Sequence, residues 1–71
     1  MHRMKTTPEL VREAEERAKA ASVSIDALCA SAGVSRAAWQ RWKAGVTEPS
    51  VTRWMRVEAA LDDLIKQQAA A

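Results

Sequence analysis

The sequence predicts an all-α fold, a compact bundle of four to five helices with one long C-terminal helix. Three observations predict it. At 71 residues the chain is too short to divide its apolar surface between two cores. Alanine makes up 15 of its 34 hydrophobic residues, and there is no Phe or Tyr beside the three Trp. Alanine favours helices and fills too little volume for a sheet sandwich. Two Gly and two Pro leave few turns, so long elements must be joined by short connections.

The elements follow in order. Residues 1–6 lack periodicity and are expected to form a flexible basic arm. Thr7-Pro8-Glu9 reads as a helix start, with Thr as cap, Pro at the first helical position and Glu at the positive end of the helix. Leu10, Ala14, Ala18 and Ala21 recur at helical spacing, with Val11 beside them, placing the first helix at about 8–21. Glu13–Arg17 and Glu15–Lys19 stand four apart on its outer face, as intrahelical ion pairs do. Ser24 caps a second helix whose inward stripe is Ile25, Leu28, Cys29 and Ala32, and Gly33 ends it. Ser35 caps a third helix, Arg36 to Ala44, with Trp39 and Trp42 on one face and Gly45 as its stop. Ser50 caps the fourth. There Val51, Trp54, Val57 (or Glu58), Leu61, Leu64 and Ile65 repeat at helical spacing to about Gln68. Residues 7–68 thus read as one domain, with a disordered tail at 69–71.

Several function classes are excluded by what the chain lacks. Cys29 has no intrachain partner, so there is no disulfide scaffold, and one Cys with one His makes no ordinary zinc site. No Ser/His/Asp or Cys/His set and no phosphate-cradling glycine loop is present, so no enzyme and no cofactor is expected. No apolar run approaches about 20 residues and no signal segment opens the chain, which predicts a soluble, cytoplasmic protein without a membrane partner. The net charge of +2 is unevenly spread. Residues 1–34 balance, and 57–71 carry −2. Residues 35–56 hold Arg36, Arg41, Lys43, Arg53 and Arg56 against Glu48 alone, for +4. Such local clustering is the footprint of a phosphate-binding surface, or else of a solvated helical face.

Two short helices joined at Gly33-Val34, the second opened by Ser35, form a helix-turn-helix unit at about 24–44. Here the sequence resembles the Cro/repressor-type (xenobiotic-response-element type) helix-turn-helix regulators of phage and bacteria, whose fold is that of the lambda repressor. The matching blocks are Ser24-Ile25-Asp26-Ala27-Leu28-Cys29, Ala32-Gly33-Val34-Ser35-Arg36, Trp42-Lys43-Ala44-Gly45 and Glu48-Pro49-Ser50, in register over roughly residues 8–61. Three departures stand out. Ser22 replaces a frequent Gly, and Gln40 replaces a small alcohol. Asp62-Asp63-Leu64-Ile65 follows Leu61 where the family commonly has a glycine stop. The last departure favours one long fourth helix over a separate fifth.

The resemblance implies a transcription regulator that binds double-stranded DNA in a sequence-specific manner, a small repressor occupying a promoter and, by family habit, its own operon's. Carried over by position, Arg36, Ala37, Gln40 and Arg41 form the base-reading face of the third helix. Arginine suits guanine O6 and N7, Gln suits adenine N6 and N7, and Ala offers a methyl contact to thymine. Ser24, Ser35 and Lys43 are candidates for phosphate, with Arg53 a further one. For Lys43 and Arg53, plain solvated surface is the alternative. Arg3 and Lys5 in the basic arm are candidates for the minor groove, the alternative being start residues without a role. Trp39 and Trp42 are expected in the core together with Trp54, in preference to stacking on single-stranded bases. Cys29 is expected as a small core residue, and His2 is not expected to hold a metal.

One short recognition helix reads too few base pairs for useful specificity, so a two-fold homodimer on an inverted-repeat operator is expected. Leu61, Leu64 and Ile65, beyond what a four-helix core needs, are the predicted dimer interface. The recognition helices would then lie about 34–36 Å apart. The rival reading is an antitoxin-type module that binds a toxin partner as well as its operator, using Leu61–Gln68.

Overall fold

Four helix starts are each closed by a hydroxyl side chain. In the computed structural model, which describes residues 5–70, Thr6, Ser24, Ser35 and Ser50 accept hydrogen bonds from the backbone N–H groups of Glu9, Ala27, Ala38 and Arg53. These caps open α1 (Thr7–Ala20), α2 (Ile25–Ala32), α3 (Arg36–Ala44) and α4 (Val51–Ala70). The cap of α1 is therefore Thr6, not Thr7. The reason is Glu9, which stands three residues after Thr6 and accepts the Thr6 backbone N–H in return, completing a capping box. Thr7 becomes a buried residue of the first turn.

The exits are as regular as the starts. Ser22, Gly33 and Gly45 adopt left-handed backbone, at φ 60, 71 and 78. Each is followed by a valine whose N–H reaches the carbonyl five residues back: Val23 to Ala18, Val34 to Cys29, Val46 to Arg41. This is the Schellman exit, which satisfies helix-end carbonyls and reverses the chain. At the first two exits the valine is buried and the next residue caps the following helix, so four residues (21–24) join α1 to α2 and three (33–35) join α2 to α3. Val46 has no such core to enter and stays 70% exposed.

Burial follows the alanine-rich composition. Val11, Ala14 and Ala18 of α1, Leu28 and Cys29 of α2, Trp39 and Trp42 of α3, and Val57, Ala60 and Leu61 of α4 form one core. α1 lies mainly on α3, and α2 mainly on α4. Small residues allow the close approach, and the molecule is only 20 Å across its thinnest direction, about two helix diameters. The backbones of α3 and α4 stay more than 8 Å apart at Cα. Tryptophans fill that gap: Trp54 stacks on Trp39 at 6.1 Å and meets Trp42 edge-on at 6.4 Å. The Trp39 indole N–H donates to Glu15 of α1 at 3.0 Å, so its polar end is satisfied inside the fold.

Several expectations need correction. Among the described residues there is no fifth helix and no strand, and α4 continues through Ala69 and Ala70, which were expected to be disordered. The absence of a glycine after Leu61 lets the helix run on. Val51 lies on the surface, 78% exposed, while Trp54 three residues on packs against the core. Neither intrahelical pair forms: Glu13 takes Lys5 just ahead of α1, Arg17 reaches Glu58 and Asp62 of α4, and Glu15 takes Lys43 of α3. Lys5 is thus tied to α1 at 2.7 Å, with its ammonium pKa raised by the Glu13 hydrogen bond, rather than extended as part of an arm. Arg3 and His2 lie outside the described residues. No helix among the described residues is long and apolar enough to cross a membrane.

Candidate nucleic-acid interface

α3 presents two unlike faces. Ala38, Trp39 and Trp42 are buried, so the helix cannot rotate without emptying the core. Arg36, Ala37, Gln40 and Arg41 are all exposed, which brings the four predicted base-reading residues to one solvent face. The face is preceded by the three-residue junction that begins at Gly33, whose open surroundings and φ of 71 make it a backbone requirement and not a packing one. At the far end Gly45 combines left-handed backbone with close approach. A β-carbon there would sit 3.4 Å from the Pro8 ring, so the end of α3 is pinned to the start of α1.

The cations around α3 are not equivalent. Arg36 Nη1 contacts Asp26 Oδ1 of α2 at 2.8 Å, and Lys43 Nζ contacts Glu15 of α1 at 3.0 Å. Arg53 of α4 lies over the Trp42 ring, 5.4 Å from its centroid. Arg41 and Arg56 have no ion-pair partner among the described residues. Counting the Asp26 and Glu15 carboxylates, the +4 of residues 35–56 falls to +2. The basic patch is thus milder than the linear sequence suggests, and its unmatched charge sits on Arg41, Arg53 and Arg56.

Ser24 and Ser35 are both exposed at helix starts, and each hydroxyl accepts one backbone N–H. A hydroxyl that accepts such a bond still carries one O–H donor, which an acceptor such as a phosphate oxygen can take. The predicted phosphate group is therefore mixed. Ser24, Ser35 and Arg53 stand exposed, and Lys43 is held by Glu15.

Away from α3, the predicted dimer residues separate. Leu61 is 0% exposed and belongs to the core of the single chain, so it has no surface to give a second copy or a toxin. Leu64 and Ile65 are half-buried against that core and retain some apolar surface. Cys29 is buried, and desolvation pushes its thiol pKa up, which keeps it protonated and unreactive. Linear reasoning missed Asp26 and Glu15 as counter-charges. Neither pair lies within one helix, so no three- or four-residue spacing announces it. No protein-family model, curated protein or solved structure matches the chain.

Proposed function

We propose that the chain is a sequence-specific double-stranded DNA-binding regulator that inserts α3 into the major groove and acts by occupying a promoter. The observation that carries this reading is the division of α3 into a face locked by two buried tryptophans and an exposed face bearing Arg36, Ala37, Gln40 and Arg41. A helix so held, entered through a short capped α2, presents base-reading side chains at fixed positions. Two copies reading an inverted repeat give the site length that one short helix lacks.

The reading is tested by selecting bound sites from random duplex DNA and titrating salt on the winner. If each protomer contributes Arg41, Arg53 and Arg56, a pair of protomers neutralises about six phosphates. Log K then falls against log salt with a slope near −5, at about −0.9 per phosphate. Affinity that stays constant between about 50 and 200 mM salt removes duplex DNA as the partner.

A further inference from the structure

We propose that Asp26 is a positioning residue that sets how sharply the α3 face discriminates between duplexes. The proposal rests on the DNA-binding reading and deepens it. Asp26 lies in the first turn of α2, Arg36 opens α3, and the two meet at 2.8 Å. The side chains are 82% and 47% exposed, so the pair adds little to the stability of the fold. Its effect lies on the surface it faces.

An unrestrained guanidinium at the leading end of α3 would find phosphate on every duplex. That attraction is strong and carries no sequence information. Paired with Asp26, Arg36 adds no net charge to the face. The carboxylate also repels any phosphate that approaches the same spot. A guanidinium carries five N–H donors, and only Nη1 is committed to Asp26. The remaining donors keep a fork that fits O6 and N7 of a guanine. Arg36 therefore retains the contact that demands geometry and loses the one that does not. Arg41, five residues along the same helix and without an ion-pair partner among the described residues, keeps both.

The test is Asp26→Asn, which preserves size and removes the charge, measured on the selected site and on random duplex, with Asp26→Glu as the rescue. Each protomer of the Asn variant gains one uncompensated cation. Its salt slope on random duplex should steepen by about 0.9 per protomer, and affinity at 0.15 M salt should rise about fivefold per protomer. Affinity for the selected site should rise less or fall, so the ratio of selected to random binding drops. Asp26→Glu should restore that ratio, and both variants should still melt cooperatively, the Asn variant slightly lower for want of a first-turn carboxylate. Equal gains on both duplexes, or no change in either while the wild type discriminates, overturn the role of Asp26 and leave DNA binding standing. A wild type that binds no duplex even at low salt overturns both readings together.

Discussion

Ser22 holds a left-handed backbone at φ 60 without being glycine. An L side chain there costs about 1–2 kcal/mol, part of which glycine returns through its freer unfolded chain. Ser22→Gly should therefore raise stability by about 0.5–1 kcal/mol, read as a higher urea midpoint at unchanged m-value. A lower midpoint would mean that the serine side chain contributes more than the strain costs. Trp39 is the opposite case, a large side chain with no exposed surface and its N–H bonded to Glu15. Trp39→Ala should cost roughly 3–5 kcal/mol, a large part of what a domain of this size has. A variant that melts like the wild type but fails to bind DNA would point to base stacking instead. The core role of Trp39 and Trp42 was legible in the sequence because nothing else large was present to fill a core, whereas Trp54, expected beside them, is only half-buried against that core. The strain at Ser22 was not, since only comparison with a glycine-bearing pattern hinted at it.

At the scale of elements, the four helices were readable because their signals are local. A cap acts over three residues and a Schellman exit over five, so Ser24, Gly33, Ser35 and Gly45 mark their boundaries within the linear chain. The misplaced start of α1 shows the limit of that reading: Thr6 and Thr7 are both able to cap, and only the reach of Glu9 decides between them. Charge pairing was less legible, because Arg17, Arg36 and Lys43 each choose a carboxylate on another helix. For α3 the consequence is a division of labour. Arg41→Ala should cost about 1–3 kcal/mol on the preferred site and relax base preference at one position. Arg53→Ala should weaken all duplexes alike. Equal losses on selected and random duplexes for Arg41→Ala would leave it a phosphate contact alone.

For the molecule as a whole, α4 is a structural member before it is an interface. Leu61 seals the core, and Glu58 and Asp62 anchor Arg17, whose guanidinium pKa the Asp62 hydrogen bond raises further. Truncation after Ala60 should therefore abolish cooperative melting, not merely dissociate a dimer. Loss of Leu61 alone is expected to cost about 2–5 kcal/mol. A truncated chain that melts cooperatively would show that the last turns of α4 are dispensable. The apolar surface that α4 offers to the proposed second copy is confined to the half-buried Leu64 and Ile65 and to the exposed Val51 and Met55 at its opposite end. The periodicity of α4 was legible; how its stripe divides between core and surface depends on α1 and α2, which linear spacing cannot place.

The tryptophan trio has an optical consequence. All three indoles of the chain lie within 6.4 Å of one another, centroid to centroid, so their transitions couple and their emission reports one place. Far-ultraviolet dichroism, where the indole transitions are strong, should show an exciton-coupled signal that vanishes in a single step when α3 separates from α4. Arg53, resting over Trp42 at the edge of the same cluster, places a cation where it perturbs that emission. A phosphate that draws Arg53 away would change the fluorescence without any label, giving the chain a built-in signal for occupancy of its surface.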